Sequence, residues 1–175
     1  MHETPEELAA LQRLLDDSAA AGGPHLRGII TAERRLSAAE LCARLTGMRL
    51  LTLSTVAADG RPLSGAVDGY LIHGTWYFSS GRESVRMRHL RSRPAVSAVH
   101  LPGESLQVSV HGDAELFEFS DPVHGALLRQ AMLDHYLPIQ GPSFEEWMDS
   151  SDEALGGRIV ARKMFTFHLD DQATA

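Results

Sequence analysis

Between residues 49 and 117, apolar and polar side chains alternate in short runs, a pattern typical of half-buried β-strands. Turn signals separate the runs, and two of them, Asp59-Gly60 and His73-Gly74, are typical of tight hairpins. A bulge is expected at Gly112-Asp113, where the fifth run continues past a glycine. With one more run near the C-terminus, the pattern predicts six strands, over residues 49–56, 63–72, 75–78, 95–101, 106–117 and 158–169.

The segments outside these runs carry the signatures of amphipathic helices. Thr4-Pro5-Glu6-Glu7 combines an N-cap, a proline in the first turn and a capping box, and it predicts a helix that ends near residue 21. Ser37, with a glutamate three residues on, predicts a second helix up to residue 47. Further helices are expected after the third strand, from Asp121 to about residue 136, and around residues 144–148. Residues 22–35 and the segment around Pro138 are interpreted as connectors.

Six strands joined mostly by short turns favour an antiparallel arrangement over a parallel, doubly wound sheet. We therefore predict a mainly β fold of the α+β class, either a small barrel or a sandwich, with flanking helices. Residues 1–36 are predicted to form an N-terminal helical arm and connector, and residues 37–175 the main domain.

The chain of 175 residues is long enough for one domain with a hydrophobic core. It contains no apolar run of the roughly 20 residues that a membrane helix needs, and no secretory signal is visible, so we expect a cytoplasmic protein without a membrane partner. Cys42 is the single cysteine, which excludes an internal disulfide and a metal site built from thiolates. No metal site is predicted.

Charge is distributed unevenly along the chain. The net charge of −7 argues against nucleic-acid binding, yet residues 82–93 contain five arginines and one glutamate. A concentrated positive segment on an acidic protein suits a small anionic ligand. The alternative is a solvated helix face without a ligand.

The strongest candidate for chemistry is the point where the third strand passes into the arginine-rich helix. The strand ends in Ser79-Ser80-Gly81, and Ser84 stands near the start of the helix. Backbone N–H groups and hydroxyls at a helix N-terminus bind anions, and arginine side chains can close over them. Arg82 and Arg86 are about one helical turn apart, and they repel unless an anion or a carboxylate lies between them. We therefore predict a phosphate site here.

Sequence motifs for other common chemistries are absent. The dinucleotide, P-loop, serine-hydrolase and zinc-protease patterns do not occur in the sequence. No catalytic residue is predicted.

Three segments resemble one known family: DGRPLSGAV, WYFSSGRESVRMRHLRSRPAVSAVHL and LQVSVHGDAEL. Over about residues 40–120 they are similar to the flavin-binding split barrels of the pyridoxamine 5′-phosphate oxidase-like family. The resemblance implies a six-stranded antiparallel split β-barrel that forms a homodimer with FMN at the interface. It also implies that residues 37–175 are an FMN-binding domain and that the protein is a flavoprotein oxidoreductase acting on a small molecule.

The resemblance further implies a cofactor site with four parts: a phosphate-binding pair, a Ser-Arg-Lys-like element, a backbone segment along the flavin ring, and a glutamine from the partner chain. In that order the residues are Ser79 and Ser80; Ser84, Val85 and Arg86; Gly65, Ala66, Val67 and Asp68; and Gln107.

Three departures from the family pattern limit what it implies. Gly65 stands where the oxidases have an arginine, and Val85 stands where the phosphate element has its middle basic residue. The C-terminal Arg-x-His element of the substrate site is not evident in FTFHLDDQATA. The resemblance therefore implies the fold and a flavin-type cofactor, and it does not imply oxidation of pyridoxamine phosphate.

Two alternatives stay open. The spacing of Ser84, Arg86, Leu90 and Pro94 also resembles that of reductases with the same fold that use the deazaflavin coenzyme F-420. The longer anionic tail of that coenzyme would be served by the remaining arginines, which are Arg82, Arg88, Arg91 and Arg93. From another class of proteins, the same fold also serves non-catalytic binding of flavin or of haem and related tetrapyrroles.

Overall fold

The computed structural model describes residues 3–150 and 152–169. Strands in this part of the chain are β1 Met48–Val56, β2 Pro62–Ile72, β3 Thr75–Gly81, β4 Ala95–His100, β5 Leu106–Phe117 and β6 Ala154–His168. The α-helices are α1 Pro5–Ala20, α2 Pro24–Ile29, α3 Ala38–Arg44, α4 Val85–Ser92, α5 His124–Gln140 and α6 Pro142–Ser150, and a short 3₁₀ helix covers Ala32–Arg34.

The six strands form one closed antiparallel barrel in the order β1-β2-β3-β6-β5-β4. This confirms the predicted fold class and the barrel implied by the resemblance. Closure depends on β6, which pairs with β3 through Ala154–Arg158 and with β5 along most of its length. None of the helices in the described residues is long and apolar enough to cross a membrane.

A bulge lies next to the predicted position, but its extra residue is in β6 and not in β5 as expected. The register of β5 on β6 shifts between His111 and Gly112, and the extra residue, Arg162, belongs to β6. A Cβ at position 112 would overlap the Val160 carbonyl. The glycine therefore lets the two backbones approach closely at the shift.

Two strands are longer than predicted. β3 continues to Gly81 and β6 begins at Ala154, because these two segments pair with each other. Gly156 and Gly157 lie before the predicted last strand of residues 158–169, yet they are inside β6. Their missing side chains leave space for aromatic rings, and a Cβ at Gly157 would lie 2.5 Å from the Phe78 ring.

The helices with capping boxes were predicted correctly. Thr4 and Ser37 each accept a hydrogen bond from the backbone N–H three residues on, and the glutamate at that position bonds back. Two connector predictions are wrong. Residues 22–35 contain α2 and the 3₁₀ helix, because Pro24 occupies a first-turn position, where a missing N–H costs nothing. Pro138 lies inside α5, which ends only at Gly141 with its φ of 72°.

Apolar side chains pack in two clusters. One fills the barrel and includes Leu11 and Leu15 of α1 as well as Met87 and Leu90 of α4. The other lies between the outer face of the sheet and the helices α5 and α6, and consists of Tyr70, Tyr77, Leu128, Met132, Leu133, Phe144 and Met148. The division of the chain after residue 36 stays a prediction.

A buried serine joins α1 to β6. The Ser18 hydroxyl donates to the Leu14 carbonyl at 2.6 Å and accepts from the Met164 N–H at 3.0 Å. Ser18 is 2% exposed. The hydroxyl therefore satisfies a strand N–H that would otherwise be buried without a partner.

Replacing this serine should destabilise the fold. Ser18→Ala leaves the Met164 N–H without an acceptor, and the free energy of unfolding should fall by about 1–3 kcal/mol in urea titrations. Ser150→Ala is the matched control, because Ser150 makes the same bond to a preceding helical carbonyl but is exposed. Equal, small losses in both variants would contradict the role given to Ser18.

All three tyrosines should titrate at high pH in the folded protein. Burial raises the pKa of Tyr70 and of Tyr77, and burial together with Asp68 raises the pKa of Tyr136 to about 12. A raised folded pKa stabilises the native state fully below the unfolded value, and that contribution is lost as the pH rises through the folded value. Tyrosinate absorbance should therefore appear near pH 10 in urea but only well above about pH 10 in the native protein, with stability falling over the same range. A native midpoint equal to the one in urea would contradict the burial.

Candidate anion and cofactor site

Two serine hydroxyls meet where β3 passes into α4. Ser84 is the N-cap of α4, and its hydroxyl accepts from the Met87 N–H at 3.3 Å. The Ser80 hydroxyl donates to the Ser84 hydroxyl at 3.2 Å. Both residues are half-exposed, so the hydroxyls and the positive end of the helix dipole are accessible to an anion.

Arg86 reaches from α4 to β2. Its Nη1 donates to the Ala66 carbonyl at 2.8 Å, and a Cβ at Gly65 would lie 2.7 Å from its Nη2. Among the described residues, this carbonyl is the one acceptor found for the guanidinium, and no carboxylate contacts it. Burial lowers the pKa of Arg86, but an arginine stays charged near neutral pH. The side chain is thus a partly desolvated cation without a counter-charge.

The neighbouring Arg82 is neutralised by carboxylates. It donates to Glu118 at 2.6 and 2.9 Å and to the Asp152 carboxylate at 2.6 Å. The hydrogen bond to Glu118 and the negative charges hold the pKa of Arg82 above its usual value. No anionic ligand is therefore needed to relieve repulsion between Arg82 and Arg86, and the sequence argument for a phosphate site loses that support.

The other three arginines of this segment also have partners within the fold. Arg91 lies 3.6 Å from Glu83 and donates to the Arg82 carbonyl at 2.9 Å. Arg88 donates to the Glu83 carbonyl. Arg93 donates to the Val56 carbonyl at 3.0 Å and so fastens the end of α4 to β1. Arg86 is thus the arginine that extends towards the predicted site.

Alternate residues of the β2 segment in the predicted site face opposite sides of the sheet. Val67 is buried in the barrel cluster, and Gly65 faces the same side. Ala66 and Asp68 alternate with them and lie on the outer face. The Asp68 carboxylate accepts a hydrogen bond from the Tyr136 hydroxyl of α5. The Tyr136 side chain of α5 thus holds the outer side of this β2 segment.

The other predicted residues lie in different places. Ser79 is half-exposed and pairs with Gly156 of β6. Val85 is the first residue of α4 and is 44% exposed. Gln107 is half-exposed on β5, and β1 and β4 lie between it and β2. Gln107 pairs with Phe167 near the end of β6, whereas Ser80 pairs with Leu155 near its start. At about 3.3 Å per residue, roughly 40 Å of strand separates the two pairing positions.

Several partners were missed by sequence reasoning: the Ala66 carbonyl as acceptor for Arg86, Glu118 and Asp152 as partners of Arg82, and Tyr136 as the donor to Asp68. Each is at least 20 residues away along the chain from the residue it contacts. No periodicity or local motif links such positions. Cavities of about 220, 590 and 600 Å³ are lined by none of the ten predicted residues.

Comparison with known proteins identifies the family of this barrel. The sequence profile named for pyridoxamine 5′-phosphate oxidase matches residues 38–155, which include β1 to β5, α4 and all ten predicted residues. The chain belongs to the pyridoxamine 5′-phosphate oxidase family. No curated protein is similar enough to count as a match.

Solved structures with a similar fold include several kinds of protein. The conserved hypothetical protein Rv2991 of Mycobacterium tuberculosis is 26% identical with a TM-score of 0.64, over 78% of this chain and 88% of that one. The haem storage protein HutZ of Vibrio cholerae is 16% identical with a TM-score of 0.56, over 69% and 85%. An F420 reductase is 19% identical with a TM-score of 0.53, over 70% and 93%. At these identities, the last two comparisons show a shared fold and nothing about function.

Position 65, where the resemblance led us to expect an arginine, is a glycine for a structural reason. A side chain at that position would occupy the space in which the Arg86 guanidinium lies. Gly65 and Arg86 are therefore coupled, since the first leaves the space that the second fills.

Proposed function

We propose that this protein is an FMN-dependent oxidoreductase whose cofactor phosphate is bound by Ser80, Ser84 and Arg86. The observation that carries the proposal is the partly buried Arg86 guanidinium, which lies on the same helix start as Ser84 and has no carboxylate partner in the described residues. An anion bound beside such a cation would form a charge-assisted hydrogen bond with it.

The residues present fit a phosphate group. Two hydroxyls and the first turn of α4 offer hydrogen-bond donors, and the arginine supplies the counter-charge. Gly65 keeps the space beside the guanidinium free of side-chain atoms. A bound flavin would supply the redox chemistry, while the protein orients it and sets its electrostatic surroundings.

The other arginines support a cofactor with a short anionic tail. A long polyanionic tail, as in the deazaflavin coenzyme F-420, would need cations beyond Arg86. Arg82 and Arg91 already contact carboxylates, and Arg88 and Arg93 bind backbone carbonyls. Haem receives less support, because none of the ten predicted residues carries an imidazole, thiolate, thioether or phenol to ligate iron.

We also propose that the site is completed in a homodimer. Ser80 and Gln107 pair with opposite ends of β6, at Leu155 and Phe167, so we expect Gln107 to reach a cofactor at the anion site from a second chain. The outer face around β1 and β4 presents Leu50 and Leu101, each 60% exposed. Large apolar side chains at such exposure favour burial against a partner.

Within this proposal the chain's own residues bind and orient, and no general acid is assigned. The backbone of Gly65–Asp68 lines the edge of the flavin ring, with its outer side held by the Asp68–Tyr136 hydrogen bond. The substrate is a small molecule. Hydride transfer in such a site requires chiefly that the two reactants be held in the correct geometry.

The cofactor itself can be identified in the purified protein. We expect bound FMN, visible as the two flavin absorption bands, or FMN uptake by the apoprotein in equilibrium dialysis. Preferential uptake of the deazaflavin coenzyme would contradict the short-tail argument. A haem Soret band, or no uptake of any of the three, would contradict the proposal as a whole.

Arg86→Ala should weaken FMN binding by roughly ten- to 150-fold, because a charge-assisted hydrogen bond contributes about 1.5–3 kcal/mol. Binding of riboflavin, which lacks the phosphate, should change little. Isothermal titration calorimetry with both ligands measures this difference.

Arg88→Ala is the matched control, since Arg88 lies on the same helix and, among the described residues, bonds the Glu83 carbonyl and no carboxylate. Its FMN affinity should stay within about twofold of the wild type. Gly65→Ala should weaken FMN but not riboflavin, because the new methyl group displaces the Arg86 guanidinium. If Arg86→Ala weakens both ligands equally, or neither, the phosphate assignment is wrong.

A further inference from the structure

A cavity lies at the C-terminal end of β2, away from the anion site, between the start of α1, the end of α3 and one face of α5. Its volume is about 590 Å³, within the range of small-molecule sites. Strand β2 contributes Tyr70, Leu71 and Ile72 to its wall. Tyr70 is four residues along the strand from Ala66, so roughly 13 Å separates the two places.

The interior of this cavity is apolar and uncharged. Its wall includes Leu45, Leu71, Ile72, Leu127 and Ala131. Cys42 also lines it, and burial raises the pKa of that thiol to about 12, so the sulfur stays neutral near pH 7. A ligand here therefore needs an apolar body.

A carboxylate gives the polar part of the cavity its negative charge. Asp134 is among the lining residues, and none of the described lysines or arginines is. Asp134 accepts a hydrogen bond from the neutral Gln130 amide. The two lining histidines have contacts of their own, His73 with the Glu7 carboxylate and His135 with the Tyr136 ring. The head group that suits this surface is a cation.

We propose that this cavity binds a small apolar amine, with its apolar body against Leu71 and Ala131 and its ammonium group at Asp134. The site is distinct from the anion site by position and by the sign of its charge. It does not depend on the proposed function, because no residue of the cavity contacts Ser80, Ser84 or Arg86 in the described structure.

The test uses two ligands with the same apolar body and opposite charge, 4-phenylbutylamine and 4-phenylbutyrate. Each is titrated into the isotopically labelled full chain, and amide chemical shifts are followed by NMR. The amine should shift the amides of β2 around Leu71 and of α5 around Ala131 in a saturable manner. The carboxylate should bind more than about tenfold more weakly, because the Asp134 carboxylate repels it and attracts the amine.

Two variants locate the binding. Ala131→Trp fills the cavity and should abolish amine binding, while Ala126→Trp, exposed on the same helix, should leave it unchanged. Asp134→Asn should weaken the amine by about fivefold without changing the apolar wall. Because Asp134 is exposed, this variant tests the head-group contact even if Ala131→Trp does not fold.

Equal binding of both ligands, or an amine affinity unchanged in Asp134→Asn, would overturn the assignment of an amine. Absence of saturable shifts at β2 and α5 would overturn the site itself.

Discussion

Strand β6 is hydrogen-bonded to β3 at its start and to β5 along most of its length, and the barrel closes because one strand does both. Its two adjacent glycines let the Phe78 and Phe117 rings pack against the backbone at the point where both pairings begin. The same pairing extends β3 as far as Gly81, which sets the position where Ser84 starts α4. The anion site thus depends on a strand that contributes none of its residues.

Arg86 depends on a second constraint, the missing side chain at position 65. A guanidinium reaches the Ala66 carbonyl only if β2 leaves room for it, and glycine does so. Carboxylates elsewhere in the fold neutralise Arg82, whereas Arg86 has no carboxylate partner among the described residues. Four of the five arginines in this segment therefore bind other groups of the fold, and Arg86 is the one proposed to bind a ligand.

Much of the fold could be predicted because its signals are local. The alternating runs, the Gly60 and Gly74 turns and the two capping boxes act within a few residues, and all were located correctly. The errors concern residues whose role is set by distant partners. Gly156 and Gly157 resemble a loop until the rings they accommodate are known, and Pro138 resembles a helix end although α5 continues past it.

The same contrast between local signals and distant partners holds for the residues of the candidate site. Ser84 was predictable as a helix cap, and Arg86 as its neighbour, because both lie on one turn of helix. The Ala66 carbonyl, Tyr136 and the carboxylates on Arg82 join the site through tertiary contacts that leave no trace in local spacing. Gln107 came from resemblance alone, and it pairs with the opposite end of β6 from Ser80, so its role is a question of assembly.

The most direct test of the central claim is a crystal structure of the protein grown with FMN. We expect the phosphate within hydrogen-bonding distance of the Ser84 hydroxyl and the Arg86 guanidinium, with Gln107 of a second chain at the ring. A flavin phosphate bound elsewhere, with Arg86 still bonded to the Ala66 carbonyl alone, would contradict the account.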